Sequence, residues 1–468
     1  MKYLSTRGSA PTLNFDDTLL SGLARDGGLY VPESWPKLTR EDLKSLRGLS
    51  YPEIAVRVMA PFIAGSLIED EFEKLVGDAY AGFDHEAIAP LKQLAPDSWL
   101  CELFHGPTLA FKDYPLQLVG RLFDRVLAKR GQRVTIVGAT SGDTGSAAIE
   151  ACRDKDSIDI FILHPHGRVS DVQRRQMTTV TSSNVHNIAV EGTFDDCQDI
   201  VKALFADLSF RDQYGLSAVN SINWARIMAQ IVYYVWCGVA LGAPERRFTF
   251  SVPTGNFGNV YAAYAARNMG LPVDKLIVGS NANDILTRFF EGGEMAMAEV
   301  VGTLSPSMDI QISSNFERLL FDTYKRDGAA VAKVMEKFRK DRKVSFGKAR
   351  WQAMRKLFEG YRVGDNATKT AINDIYENTG ELIDPHTAIG VLAGENVARP
   401  EGSVLVTMAT AHPAKFPRAV EEATGLHPDL PPRLADLFER PERADVLPAQ
   451  TNAVRAFISE QLAGKSAA

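Results

Sequence analysis

The fold prediction depends chiefly on residues 133–163, whose sequence is RVTIVGATSGDTGSAAIEACRDKDSIDIFIL. Residues 133–137 and 158–163 are rich in β-branched and aromatic side chains, which favours two strands. Residues 145–153 between them are mostly small, and their pattern predicts a helix. A strand, a helix and a second strand at this interval are typical of a βαβ unit, in which both strands belong to one parallel sheet.

The same alternation continues on both sides of this unit. Helices are predicted over 169–177 and 194–208 and from 258 and Pro413 onward, and strands over 186–190, 248–252, 276–278 and 404–407. The first 95 residues are mainly helical, and residues 283–382 resemble a helical insertion beside the second sheet. We therefore predict an α/β fold with two doubly wound parallel sheets: a helical region over 1–95, a smaller α/β domain over 96–215 and a larger one over 216–468.

Composition narrows the class of protein. The 468 residues are 45% hydrophobic and 24% charged, which is usual for a folded soluble chain and excludes fibrous and disordered classes. The formal charge of -6 argues against a general nucleic-acid binder. Residues 227–243 are uncharged, but they fall short of the ~20 residues that span a bilayer, so we predict a buried helix there.

The cysteines indicate a reducing compartment. They lie far apart in the sequence and form no C-x-x-C pair, which favours free thiols. The four positions are Cys101, Cys152, Cys197 and Cys237. The N-terminal residues lack the apolar core of a secretory signal, and we expect a cytoplasmic protein with no membrane partner.

A first glycine-rich loop, GATSGDTG at 138–145, follows the first strand of the βαβ unit directly. Its glycines allow close approach of the backbone, and the next helix offers N–H groups to a carboxylate or phosphate. A dinucleotide site would need an acidic residue after the next strand, where the chain has Leu163, His164 and Pro165 instead. A tight turn without any ligand remains the alternative.

Two further loops follow predicted strands in the same way. TGNFGN at 254–259 suits a phosphate, although turns of this composition often have only a structural role. Thr410 lies between a strand and the helix predicted from Pro413, where it either faces a ligand or caps the helix.

A fourth polar cluster, LFHGPTLAFKD at 103–113, precedes a helix with an apolar face. Lys112 lies at the start of this helix, beside Phe111. Because Lys112 lies near the positive end of a helix, we expect its pKa to be lowered and its amine to be reactive enough to form a Schiff base. An ordinary exposed lysine is the alternative.

In combination these motifs resemble a known family. FKD at 111–113, SGDTG at 141–145 and GNFG at 255–258 are similar to fold-type II pyridoxal-phosphate enzymes, and more narrowly to the threonine synthases of bacteria and fungi that have longer chains. Supporting motifs are YLSTRG at 3–8, LARDGGLYVP at 23–32, SINWAR at 221–226, SPSMDI at 305–310 and AHPAKFP at 411–417.

The resemblance implies a cofactor, a reaction and a set of site residues. Lys112 would form the Schiff base with pyridoxal 5'-phosphate, and Thr410 would bind the pyridine nitrogen. The cofactor phosphate would lie against Gly255, Asn256, Phe257, Gly258 and Asn259. The substrate α-carboxylate would lie against Ser141, Gly142, Asp143 and Thr144. The implied reaction converts O-phospho-L-homoserine and water to L-threonine and phosphate.

Several questions stay open at this point. The alternatives are another fold-type II lyase, such as a threonine or serine dehydratase, and a non-catalytic relative that binds phosphorylated metabolites. Candidates for the substrate phosphate are Lys415, Arg226, Arg318 and the loop 313–315, none of them assigned. The histidines form no ligand set, so we predict no transition metal. The sequence indicates no oligomeric state and is compatible with a monomer.

Overall fold

The computed structural model describes residues 1–218 and 221–463. The chain divides into two compact units. The first contains Met1–Phe111 and Ser221–Pro428. The second contains Lys112–Asn220 and Asp429–Ala468, of which 112–218 and 429–463 are described.

The described residues form strands with the following bounds: β1 Tyr3–Ser5, β2 Tyr30–Pro32, β3 Leu91–Ala95, β4 Ser98–Glu102, β5 Val134–Ala139, β6 Ile158–Pro165, β7 Val185–Glu191, β8 Leu216–Ser217, β9 Arg247–Pro253, β10 Val273–Ser280, β11 Glu294–Ala296, β12 Lys343–Ser345, β13 Phe358–Arg362, β14 Ser403–Ala409 and β15 Asp445–Pro448.

The α-helices of the same residues have these bounds: α1 Phe15–Ser21, α2 Arg40–Ser45, α3 Tyr51–Ile63, α4 Phe72–Tyr80, α5 Asp113–Arg130, α6 Asp143–Cys152, α7 Asp171–Thr178, α8 Phe194–Ala206, α9 Leu208–Gln213, α10 Trp224–Ala240, α11 Gly258–Met269, α12 Ile285–Gly292, α13 Phe316–Thr323, α14 Gly328–Asp341, α15 Lys348–Arg355, α16 Asp365–Thr379, α17 Pro385–Asn396, α18 Pro417–Thr424 and α19 Thr451–Gln461. Short 3-10 helices lie at Glu69–Glu71, Pro306–Met308, Pro413–Lys415 and Pro432–Leu434.

The first unit is built on a six-stranded sheet of order β13-β10-β9-β14-β4-β3. Every neighbouring pair is parallel except β3 and β4, which are antiparallel. Helices α10, α11 and α17 pack in this unit, and nearly every side chain of α10 is buried. The loops after β9 and β14 therefore leave the same edge of the sheet, because the carboxyl ends of parallel strands lie together.

The second unit is built on a five-stranded parallel sheet of order β15-β7-β6-β5-β8. Its core contains Phe161 from β6 and Ile200 from α8, together with Val454 and Ile458 from α19. Helix α6 begins directly after the loop that follows β5. This arrangement brings the N-terminus of α6 to the carboxyl edge of the sheet.

The six-stranded sheet, parallel except for its edge strand β3, and the parallel five-stranded sheet confirm the predicted α/β class. The predicted strands and helices of the βαβ region are all present. The helix predicted over 227–243 is α10, which is buried as expected. In the described part of the chain, no helix has both the length and the apolar character required to cross a bilayer.

Three local predictions need correction. The chain after Pro413 forms a 3-10 turn, and the α-helix begins only at Pro417, because two prolines interrupt the segment. The region 283–382 is helical for the most part, but it also supplies β13, an edge strand of the sheet. The predicted division at 95 and 215 differs from the compact units. Residues 91–102 belong to the first sheet through β3 and β4, and β15 and α19 return to the second unit.

Candidate active site

The glycine-rich loop after β9 is a narrow turn that leads into α11. Phe257 has φ of 63°, immediately before α11 begins at Gly258. A Cβ at Gly255 would lie 3.0 Å from the carbonyl oxygen of Ser307, so this position needs the close approach that glycine allows. No hydrogen bond among the described residues engages the N–H groups of 255–257. Beside the positive end of α11, these donors form a cradle for an anion.

The segment 313–315 donates hydrogen bonds to the carbonyl groups of this loop. Ser313 Oγ donates a hydrogen bond of 2.7 Å to the carbonyl oxygen of Gly255. The backbone N–H and the side-chain amide of Asn315 both donate to the carbonyl oxygen of Asn256, at 3.1 Å each. The sequence suggested 313–315 as candidates for the substrate phosphate. The structure shows that Ser313 and Asn315 instead brace the loop.

Asn259 adds a buried donor to this cradle. Its Oδ1 accepts hydrogen bonds from the hydroxyl groups of Tyr233 at 2.6 Å and Tyr234 at 2.7 Å. Burial raises the pKa of Tyr234, so its hydroxyl stays protonated and donates. With Oδ1 fixed, the orientation of the amide is set, and Nδ2 is buried without a hydrogen-bond partner among the described residues. A buried amide N–H group without an acceptor destabilises the fold unless a ligand accepts its hydrogen bond.

Thr410 directly follows β14 and is buried. Its carbonyl oxygen accepts a hydrogen bond of 2.8 Å from the N–H of Phe111, and Ala110 pairs with Ala411. The residue that caps the following 3-10 turn is His412, whose Nδ1 accepts from the N–H of Ala414 at 3.2 Å. Thr410 is therefore not a helix cap, and the interpretation of Thr410 as a cap is wrong. Its contact with a ligand stays a prediction.

In the second unit, Lys112 is buried and forms an ion pair. Only 8% of the residue is exposed, and Nζ lies 3.2 Å from Oδ2 of Asp143. Asp143 Oδ1 accepts a hydrogen bond of 2.8 Å from Nε2 of Gln173, which fixes the carboxylate. The exposed-lysine alternative is wrong. The carboxylate of Asp143 is an electrostatic partner for the ammonium form of Lys112. The lowered pKa that the sequence suggests stays a prediction without support from this contact. No sequence signal identified Gln173.

The loop after β5 is organised by Thr140. Its Oγ1 accepts hydrogen bonds from the N–H groups of Gly142 at 3.0 Å and Gly145 at 2.8 Å. Gly142 has φ of 141°, and a Cβ there would lie 2.5 Å from the side chain of Gln173. Since the Gly142 N–H is engaged within the loop and the Asp143 side chain is negative, Ser141 and Thr144 are the better donors for a carboxylate.

The three candidate cations in the first unit differ in what surrounds them. Lys415 Nζ donates to the carbonyl oxygen of Thr108 at 2.6 Å. The guanidinium of Arg318 donates to the carbonyl oxygens of Tyr30 and Ile222 and to the side chain of Asn315.

Arg226 alone of these three has unsatisfied donors. It is 3% exposed, and its Nε and Nη1 are buried without a hydrogen-bond partner in the described part of the chain. Burial lowers its pKa to about 10, which still leaves it charged at neutral pH. A buried, unpartnered guanidinium is unstable by itself and becomes favourable when an anion binds it.

All four cysteines are free and buried. Among residues 1–218 and 221–463, no group of three or more His, Cys, Asp or Glu side chains is placed to hold a metal ion.

Three family models match the chain. Residues 2–80 match the model of the threonine synthase N terminus, 83–410 that of pyridoxal-phosphate dependent enzymes, and 387–458 that of the threonine synthase C-terminal region. Lys112, both glycine-rich loops and Thr410 all lie within the central match.

Individual proteins are similar over nearly the whole chain. Threonine synthase of Pseudomonas aeruginosa is 59% identical, and the alignment covers 98% of each chain. The crystal structure of pyridoxal-phosphate-bound threonine synthase from Brucella melitensis has a TM-score of 0.97 and 51% identity, with 98% of this chain and 99% of that chain covered. Threonine synthase from yeast has a TM-score of 0.94 and 38% identity, covering 99% of each chain.

Proposed function

The chain belongs to the threonine synthase family of pyridoxal-phosphate-dependent enzymes, and we propose that it converts O-phospho-L-homoserine and water to L-threonine and phosphate. The observation that carries this assignment to particular residues is the buried amine of Lys112, held 3.2 Å from Asp143. A buried lysine can form a Schiff base with an aldehyde once its amine is neutral.

The residues present fit the cofactor. A phosphate needs several donors at a narrow turn, and residues 255–257 offer backbone N–H groups that no described residue uses. The buried Nδ2 of Asn259 is a further unsatisfied donor beside them. We assign the cofactor phosphate to residues 255–259, its aldehyde to Lys112 and its pyridine nitrogen to the Thr410 hydroxyl. When bound, pyridoxal phosphate withdraws electrons from the substrate carbon that loses its proton.

Lys112 has two tasks in the proposed reaction. Its amine would hold the aldehyde of the cofactor, and the same amine, once free, would remove the α-proton of the substrate. Asp143 and Gln173 keep the amine in position, because the carboxylate is hydrogen-bonded on both of its oxygens. The rotamer of Lys112 is thereby restricted before substrate arrives, which is the purpose of preorganisation.

The substrate has two anionic groups, and the structure offers donors for each. We assign the α-carboxylate to Ser141 and Thr144 near the N-terminus of α6. We assign the phosphate to Arg226, since among the three candidate cations it alone has buried donors that no described residue accepts. Loss of a β-proton would accompany expulsion of the γ-phosphate, and the γ-carbon would then take up a proton before water adds at the β-carbon. Arg226 would stabilise the negative charge of the departing phosphate.

Product analysis tests the proposed reaction directly. Purified enzyme loaded with pyridoxal phosphate is mixed with O-phospho-L-homoserine, and phosphate and L-threonine are measured over time. We expect the two products to form in equal amounts. Phosphate with a keto acid in place of threonine would indicate a dehydratase-type lyase, and no product at all would indicate a binding protein.

A further inference from the structure

A small apolar chamber lies within the first unit, and a wider polar mouth adjoins it. The chamber has a volume of about 160 Å³ and the mouth about 540 Å³. Arg7 and Arg339 line both, so the two spaces are neighbours. The apolar wall of the chamber includes Leu29, Met295, Met297, Leu320, Met335 and Phe338. Nothing in the proposed reaction uses either space.

The mouth presents charges of both signs. Glu336, Arg339 and Lys340 are exposed on the C-terminal half of α14, and no hydrogen bond or ion pair of the described residues engages their side chains. The two other charged groups of the mouth are already satisfied. Arg7 pairs with Glu317 at 2.9 Å, and Asp26 accepts hydrogen bonds from backbone N–H groups, including that of Gly28. A ligand with one positive and one negative group would find partners here.

The chamber complements this mouth with a pocket for an apolar group. A cavity of about 150 Å³ lined by apolar side chains can hold a molecule the size of benzene. The chamber is therefore large enough for a branched aliphatic side chain. Three of its lining residues are methionines, whose flexible thioethers adapt to irregular apolar shapes.

We propose that the chamber and the mouth together bind a free α-amino acid with an apolar side chain about the size of that of leucine. The side chain enters the chamber. The α-carboxylate lies against Arg339 and Lys340, and the α-ammonium lies against Glu336. Amines or carboxylic acids with the same side chain satisfy only one half of the mouth and bind more weakly.

The position of the chamber connects it with the glycine-rich loop. Ser313 lines the chamber, and its hydroxyl donates to the carbonyl oxygen of Gly255. Ile222, another lining residue, belongs to the segment that carries Arg226 and accepts a hydrogen bond from Arg318. A bound amino acid thus lies one hydrogen bond from residues that we assign to the cofactor.

Titration calorimetry with the pyridoxal-phosphate-loaded enzyme tests the proposal, with L-leucine as the probe. We expect saturable binding of L-leucine, and binding at least about tenfold weaker for 3-methylbutylamine and for 4-methylpentanoate, since each lacks one charge. Kinetics with O-phospho-L-homoserine give the second measurement. Inhibition by L-leucine that is purely competitive would place it in the substrate site and would overturn the proposal.

Two variants and a matched control separate the mouth from the chamber. Arg339→Glu reverses the charge that faces the carboxylate, and Met297→Trp fills the chamber from a partly exposed position; each should weaken L-leucine binding about tenfold or more. Lys337→Glu changes the same charge on the same helix but lies outside both spaces, and should leave binding unchanged. Turnover of the three variants without L-leucine should match that of the parent enzyme. Equal binding by all three variants, or no binding of L-leucine by the parent enzyme, would disprove the site.

Discussion

The ammonium group of Lys112 lies 3.2 Å from the carboxylate of Asp143, and both side chains are buried. Asp143 is the first residue of α6, so its backbone belongs to the loop assigned to the substrate carboxylate. One residue thus links the amine to which we assign the chemistry with the turn to which we assign the substrate carboxylate. Gln173 from α7 completes the arrangement by binding the other carboxylate oxygen.

Replacement of Lys112 by alanine should abolish turnover, because neither the covalent link to the cofactor nor the base remains. The purified variant should lack the visible absorption of a lysine-bound cofactor. The assay is threonine formation together with an absorption spectrum after dialysis. Near-normal turnover by Lys112→Ala would refute the assignment of the lysine.

Asp143→Asn should destabilise the cofactor-free protein by about 1–3 kcal/mol, because the buried ammonium loses its charged acceptor. Urea unfolding measures this change, and Asp156→Asn at an exposed position is the control. When Asp143→Asn is made in the Lys112→Ala background, the loss in free energy of unfolding should be clearly smaller, since the ammonium that needed a charged partner is absent. An equal cost in both backgrounds would mean that the ion pair contributes nothing.

Arg226→Met and Arg318→Met should change stability in opposite directions. Both guanidinium groups are buried, and burial lowers the pKa of each to about 10, but only Arg318 has its donors satisfied. Arg226→Met removes an uncompensated charge and should raise the free energy of unfolding by about 1–3 kcal/mol. Arg318→Met leaves carbonyl oxygens without donors and should lower it by about 2 kcal/mol or more.

Steady-state kinetics complete the test of Arg226. Loss of its contact with the substrate phosphate should raise KM for O-phospho-L-homoserine about 100-fold. Inorganic phosphate should stabilise the parent enzyme against heat more than it stabilises Arg226→Met. An unchanged KM in this variant would exclude Arg226 as the phosphate ligand.

Thr410→Asp should alter the reaction more than the fold. A carboxylate opposite the pyridine nitrogen favours the protonated ring, which strengthens electron withdrawal, whereas the hydroxyl of threonine keeps it moderate. We expect a shifted absorption spectrum and a larger fraction of side products. Thr410→Ser, which keeps the hydroxyl, should behave like the parent enzyme. If Thr410→Asp has the parent spectrum and products, the hydroxyl does not contact the ring.

His164 should make the protein sensitive to mild acid. Burial lowers the pKa of this histidine below its ordinary value of 6.5. Below pH 6.5 the unfolded chain therefore binds a proton that the folded chain excludes, and stability falls as the pH falls, by at most about 1.4 kcal/mol per pH unit from this group. Urea unfolding at pH 7 and 5.5 should show a smaller loss for His164→Gln than for the parent protein. The control variant His166→Gln changes an exposed neighbouring histidine, and it should lose as much stability between pH 7 and 5.5 as the parent protein.

The local features of this protein follow from its sequence. β-branched runs alternate with small-residue helices, and glycine-rich turns follow the strands, because backbone preferences and hydrophobic periodicity act over a few neighbouring residues. Lys112 at the start of α5 and the loops at 141–144 and 255–259 are candidates for this reason, and their roles stay predictions. The strands of the βαβ region lie within a few residues of their predicted bounds.

Tertiary structure decided what depends on residues far apart in the chain. The sequence offers no ground for choosing among Arg226, Arg318 and Lys415. Only tertiary packing gives Arg318 and Lys415 acceptors and leaves Nε and Nη1 of Arg226 without a hydrogen-bond partner among the described residues. Ser313 and Asn315 brace a loop nearly sixty residues earlier, and Gln173 fixes Asp143 from another helix. The pairing of β15 with β7 and the inclusion of α19 in the second unit likewise join segments that are far apart in the chain. Such contacts depend on where the folded backbone brings distant segments together, which no local pattern encodes.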